Sequence, residues 1–211
     1  MAGYCADWVS ALKKTLHASE RDSERVQEMR AKFLAAIETV PAGDLIFLDE
    51  SGTTTEMTRR YGRGLIGERV TDSAPGTWRT LTVLGAISVD GWVASMTIES
   101  PTDGDVFKAF LQDVLCPQIK PENVVVMDNL AAHKVDGVRQ IIESAGATIR
   151  YLPPYSPDLN PIELCWSQFK QRLRSLMART VTALDAAVGD AQKVLTKEHV
   201  LGYFKHCGYT P

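Results

Sequence analysis

The sequence predicts an α/β fold, a mixed five-stranded sheet with helices on both faces. Three observations point there. Residues 45–48 (Leu-Ile-Phe-Leu) and 124–127 (Val-Val-Val-Met) are short, wholly apolar runs, the pattern of strands buried on both faces. Residues 80–89 and 92–98 flank Asp90-Gly91, the signature of a tight antiparallel hairpin. From residue 102 onward, helical and strand patterns alternate, as in sheets covered by crossover helices.

Each element follows from its local pattern. Residues 23–38 place Val26, Met29, Phe33, Leu34 and Ile37 on one side of a helix, and Pro41-Ala42-Gly43 stops it. The run 45–48 gives the first strand. A polar stretch rich in Thr, Arg and Gly, residues 51–76, has no periodicity and reads as irregular. The hairpin gives two more strands. Residues 102–115 form an amphipathic helix carrying Val106, Phe107, Phe110, Leu111 and Val114. Residues 124–127 give the fourth strand, 135–144 a helix, and 148–152 the fifth strand. Pro153-Pro154-Tyr155-Ser156-Pro157 is a stiff extended loop. A helix runs from Pro161 to about Arg179, another over 184–195, and a short one lies near the end.

The 211 residues suit one ordinary domain, or a domain with a small appendage. The expected division is 1–40, an N-terminal remnant or linker with a helix; 41–180, the sheet domain; and 181–211, a C-terminal helical extension. Hydrophobic residues at 45% and charged residues at 23% exclude wholesale disorder. No run approaches 18 apolar residues, so no membrane-spanning helix is encoded. The N-terminus lacks a signal-peptide core, so a cytoplasmic protein is expected. Cys5, Cys116, Cys165 and Cys207 match no C-x-x-C pair and no common zinc spacing, which points to reduced, incidental thiols. The net charge is −3, with five acids in excess over 41–150 and two bases in excess over 151–179. Stand-alone nucleic-acid-binding modules are normally basic, so this chain does not read as one.

Asp49 directly follows the first apolar run and Asp128 the second. Each stands at the C-terminal end of a strand, the edge where open α/β sheets bind ligands. As neighbours, the two strands would lie about 4.8 Å apart. Their carboxylates would then share one small space, and a divalent cation would cancel the repulsion. The alternative makes Asp49 and Asp128-Asn129 plain turn formers. Glu163 is the third acid. Asn160 suits an N-cap and Pro161 the first helical position, so Glu163 falls third, where it could instead close a capping box on the Asn160 amide. Asp158 reads as a turn residue before that helix. Ser167, Lys170 and Arg174 share the Glu163 face, beside an apolar face of Ile162, Trp166, Phe169, Leu173 and Leu176. An acid followed by cations on one stripe suits a phosphate-bearing polymer crossing the helix.

Three motifs carry a family resemblance: Leu48-Asp49-Glu50-Ser51, residues 127–134 (Met-Asp-Asn-Leu-Ala-Ala-His-Lys), and residues 152–163 (Leu-Pro-Pro-Tyr-Ser-Pro-Asp-Leu-Asn-Pro-Ile-Glu). Between Asp128 and Glu163 lie 34 residues. This pattern resembles the DDE transposases of the mariner superfamily, in their bacterial insertion-sequence branch. The likeness runs from about Lys13 to about Arg179.

The resemblance implies a ribonuclease-H-like fold with the first and fourth strands adjacent and parallel. It implies that Asp49, Asp128 and Glu163 hold two Mg²⁺ ions, with Mn²⁺ as substitute, clamping the attacking and leaving oxygens of phosphoryl transfer. It implies strand cleavage at the ends of a mobile element, followed by attack of the freed 3′-hydroxyl on target double-stranded DNA. TA target sites are expected, and TA steps unstack easily. A homodimer is implied as the active complex, in the bacterial cytoplasm and on the nucleoid when active. Lys170, Arg174, Arg59, Arg60, Arg63 and His133 are the expected DNA contacts. Glu50 should point away from the site by strand alternation. Family members carry a helix-turn-helix part ahead of the catalytic domain. None is evident in the first forty residues, so a separate or fused N-terminal part is the expected partner. The alternative is a truncated, non-catalytic chain that dimerises with and modulates a longer transposase.

Overall fold

The computed structural model of the chain describes residues 17–129 and 135–210. Its five strands are β1 (Leu45–Thr54), β2 (Thr80–Ser88), β3 (Gly91–Ile98), β4 (Val124–Met127) and β5 (Thr148–Tyr151). They form one mixed sheet in the order β3-β2-β1-β4-β5. The hairpin pairs are antiparallel, while β4 runs parallel to both β1 and β5. Ser88 stands opposite Gly91, so the hairpin turns on Val89-Asp90, one residue earlier than the Asp90-Gly91 dipeptide suggested. Gly91 itself takes a φ of 123°, a conformation that favours glycine.

Helices cover both faces. On one lie α1 (Glu24–Ile37), α4 (Pro161–Leu176), α5 (Val181–Gln192) and α6 (Lys197–His206), packed on Leu45, Phe47, Val83, Ile87 and Val126. On the other lie α2 (Gly104–Ala109) and α3 (Val138–Ser144), packed on Ile46, Leu48, Leu84, Val125 and Met127. The alternating parity of β1 side chains divides them between the two cores.

The amphipathic segment 102–115 is not one α-helix. Asp103 caps α2 through its side chain, and residues 110–115 then widen into a π turn. The wider i→i+5 spacing lets Phe110, Leu111 and Leu115 all face the sheet, each fully buried. In α1 the buried stripe is Val26, Arg30, Phe33 and Ile37, and Leu34 is 42% exposed.

Residues beyond 180 enter the main core. The Phe204 ring of α6 meets Phe47 edge-on at 5.3 Å, and Tyr209 lies 5.0 Å from the same ring. Phe204 is wholly buried. Phe204→Ala is therefore expected to destabilise the fold by about 3–5 kcal/mol, read as a lowered midpoint in urea unfolding.

Candidate active site

Strand pairing sets the first two acids. β1 and β4 stay in parallel register from Leu45–Val124 to Leu48–Met127. One residue further, the two chains carry Asp49 and Asp128. Alternation puts both on the face of Phe47 and Val126, which α4 covers. β1 does not end at Asp49. It runs on to Thr54, because β2 supplies an antiparallel partner for the polar residues Ser51, Gly52, Thr53 and Thr54. Asp49 is thus a mid-strand residue, opposite Gly85.

The first turn of α4 delivers the third acid. The Asn160 amide donates to the Pro157 carbonyl at 3.1 Å, so Glu163 closes no capping box. Asp49, Asp128 and Glu163 line one cleft, together with Asn129, residues 152–157 and Asn160. Glu50 points elsewhere. It lines a separate cleft with Gly52, Thr82, Glu99 and Thr102.

The cleft crowds like charge. Asp49 is 8% exposed. Burial, then the nearby Glu163 and Asp128 charges, push its carboxyl up to about 7, against hydrogen bonds from the Glu50 amide and the Trp166 indole. Burial also raises Glu163, opposed by the Lys170 ammonium. Lys170 is itself lowered by burial, while the Glu163 and Asp49 charges work the other way.

Among the described residues, no three His, Cys, Asp or Glu side chains stand close enough to hold a metal ion together. What fits a divalent cation is the donor chemistry. Three carboxylates supply hard oxygens, and beside them the Asn160 side-chain oxygen is buried without a hydrogen-bond partner. Such an ion would offset both the burial and the carboxylate repulsion that raise Asp49.

The loop before α4 is clamped from far along the chain. Arg30, 8% exposed, donates to Ser156 Oγ at 2.7 Å and to both oxygens of Asp158 at 3.1 and 2.7 Å. Arg21 adds a bond to Asp158 at 3.0 Å. Burial pushes the Asp158 carboxyl up, but these two guanidinium groups outweigh it and hold the group below its usual range. Tyr209 donates from its hydroxyl to the Leu159 carbonyl at 2.7 Å. Within this clamp Tyr155 keeps a left-handed φ of 55°, a strain of about 1–3 kcal/mol.

The expected DNA contacts divide. Arg59, Arg60 and Arg174 line a second cleft with Tyr61, Ser167 and Gln171. Lys170 stands between the clefts, its charge coupled to Glu163 and to Arg174. Arg63 is exposed and does not line the basic cleft. His133 lies outside the described residues. Sequence reasoning missed Arg30, although a charge on the stripe Val26, Arg30, Phe33, Ile37 was its signal. It also missed Arg179, which donates to the Thr55 and Met57 carbonyls at 3.1 Å and to Thr58 Oγ1 at 2.7 Å. Those bonds tie the base of the segment 55–79 to the end of α4.

A family model described as DDE superfamily endonuclease matches residues 44–185. No curated protein sequence matches the chain. Among solved structures, the Mos1 transposase paired-end complex with left transposon end aligns at 13% identity and a TM-score of 0.75, covering 95% of this chain and 64% of that one. The pre-cleavage Mos1 transpososome aligns at 13% and 0.72, covering 94% and 64%. The Mos1 transposase catalytic domain with raltegravir and Mn aligns at 14% and 0.65, covering 92% and 94%. The chain thus shares the ribonuclease-H-like fold of that domain, and spans about 64% of the length of the Mos1 chains in the DNA complexes.

The raised Asp49 carboxyl has a measurable consequence. Its folded value lies above the unfolded value of 3.8, so the folded chain favours the protonated form. The associated stability is complete below about pH 4 and is lost as pH rises through about 7. Without divalent cations, Asp49→Asn is expected to be more stable than wild type by about 1–3 kcal/mol at pH 8 and no more stable at pH 4, by urea unfolding.

Proposed function

The chain belongs to the DDE superfamily endonucleases, and from that premise we propose that it is the catalytic part of a cut-and-paste DNA transposase of the mariner type, in the bacterial insertion-sequence branch. The observation that carries this reading is the single cleft lined by Asp49, Asp128 and Glu163, with a basic cleft farther along the same helix.

In this reading Asp49, Asp128 and Glu163 hold two Mg²⁺ ions, for which Mn²⁺ substitutes. When bound, the ions supply charge neutralisation at the attacked phosphodiester. The residues of the chain do the placing. The clamped loop from residue 152 to 160 walls one side of the cleft and limits how a backbone can enter. Lys170, beside the acids, draws the phosphate toward them. Arg174, Arg59 and Arg60 track the strand beyond the cut, and Arg63 and His133 are assigned to the same DNA path. Water cleaves the strand at the element end, and the freed 3′-hydroxyl then attacks a TA site in target DNA. One site serves both steps because both are in-line phosphoryl transfers. A helix-turn-helix part, separate or fused, recognises the element ends, and a homodimer pairs them on the nucleoid. The catalytic unit is assigned to 41–180, with residues 1–40 ahead of it and the helical extension 181–211 packed into its core. Among the described residues, no helix is long and apolar enough to cross a membrane.

Purified protein is expected to nick supercoiled DNA when Mg²⁺ or Mn²⁺ is added. Asp128→Asn should abolish nicking while leaving the circular dichroism spectrum unchanged, and equal nicking by the variant would refute the site. No cleavage by wild type, together with association with a longer transposase, would favour the modulating role instead. Replacing both Arg60 and Arg174 by Ala should weaken DNA binding uniformly across sequences and lower the salt slope by about 2, in fluorescence anisotropy titrations.

A further inference from the structure

Trp166 follows Glu163 by three residues on α4, so both side chains approach the sheet from the same helix. The indole is 3% exposed and donates from Nε1 to Oδ2 of Asp49 at 3.0 Å. The ring reaches that point because a side chain is missing. Asp49 pairs across β1 and β2 with Gly85, and directly opposed residues share a face. A Cβ on Gly85 would lie 2.8 Å from Cη2 of Trp166 and 2.7 Å from Cζ3 of Trp92, too close for either ring to stay. Trp92 and Phe169 pack on the Trp166 ring, each at a centroid distance of 5.4 Å. The gap and the two rings leave the indole one seat, and its N–H then commits one oxygen of Asp49.

We propose that Trp166 is a positioning residue, seated by the gap at Gly85, that holds the Asp49 carboxylate through Oδ2 and so sets the direction in which that carboxylate takes a divalent cation. This rests on the reading of Asp49 as a cation ligand. An indole N–H is a donor only, so Trp166 orients the ligand and does not bind the ion itself. The same bond spans α4 and β1, and so fixes the offset between the acid on the helix and the acid on the strand. Hydrogen bonds of this kind behind a metal ligand are typically worth about 10–100-fold in metal affinity.

The test is Mn²⁺ binding by calorimetry, with circular dichroism as the check on folding. Trp166→Phe keeps the ring and removes the donor. Gly85→Ala keeps the donor and displaces the ring. Both are expected to weaken Mn²⁺ about 10-fold or more while Asp49→Asn abolishes the same binding. In ¹⁵N-labelled wild type, the Trp166 indole resonance should shift on Mg²⁺ saturation, and that of the exposed Trp78 should not. Wild-type Mn²⁺ affinity in folded Trp166→Phe, with binding lost in Asp49→Asn, would overturn the proposal. So would an unmoved Trp166 resonance under saturating Mg²⁺. Undiminished binding by Asp49→Asn would instead remove the premise about Asp49.

Discussion

Two strands that run parallel for a few residues and then separate govern the arrangement of the rest. The β1–β4 register ends at Leu48 and Met127 because β4 stops there, while β1 continues against β2. A parallel pair can only be joined by a crossover, so α2, its π turn and the return to β4 must fill the opposite face. That leaves the near face for α4, and only there can Glu163 meet the two aspartates. Were the register shifted by one residue, every β1 side chain would change faces, and Asp49 would point into the core of Leu48 and Met127.

The second constraint is electrostatic. Three carboxylates are brought toward one cleft that is partly withdrawn from water, and among the described residues the fold answers with few cations. Lys170 is near, but it is itself partly buried. Arg30 and Arg21 are spent on Asp158, which keeps that fourth acid out of the cleft and fixes the loop instead. The acidic excess of residues 41–150 therefore includes charge that the fold concentrates on purpose-shaped ground, and the bases of 151–179 lie along the helix leading away from it.

Most of this was legible in the sequence. Short apolar runs located the strands, because a strand buried on both faces has no alternation to obscure it. The three motifs located the acids, because their residues are contiguous. The parts that were not legible depend on contacts between distant segments. The polar run from Ser51 to Thr54 became strand only because β2 lay beside it. The π turn answers to packing against the sheet and not to local propensity. Trp166 looked like one more apolar residue, since the donor on its ring matters only once Gly85 has made room. Asp158 looked like a turn former until Arg30, from 128 residues earlier, reached it.

The loop before α4 draws its support from Arg21 and Arg30 near the start of the described chain and from Tyr209 near its finish. During synthesis, α1 emerges long before the loop it will hold, and Tyr209 emerges 50 residues after Leu159. A nascent chain can therefore carry all three acids and still lack the wall that shapes their cleft. The wall of the cleft is complete only once the chain has been made through Tyr209.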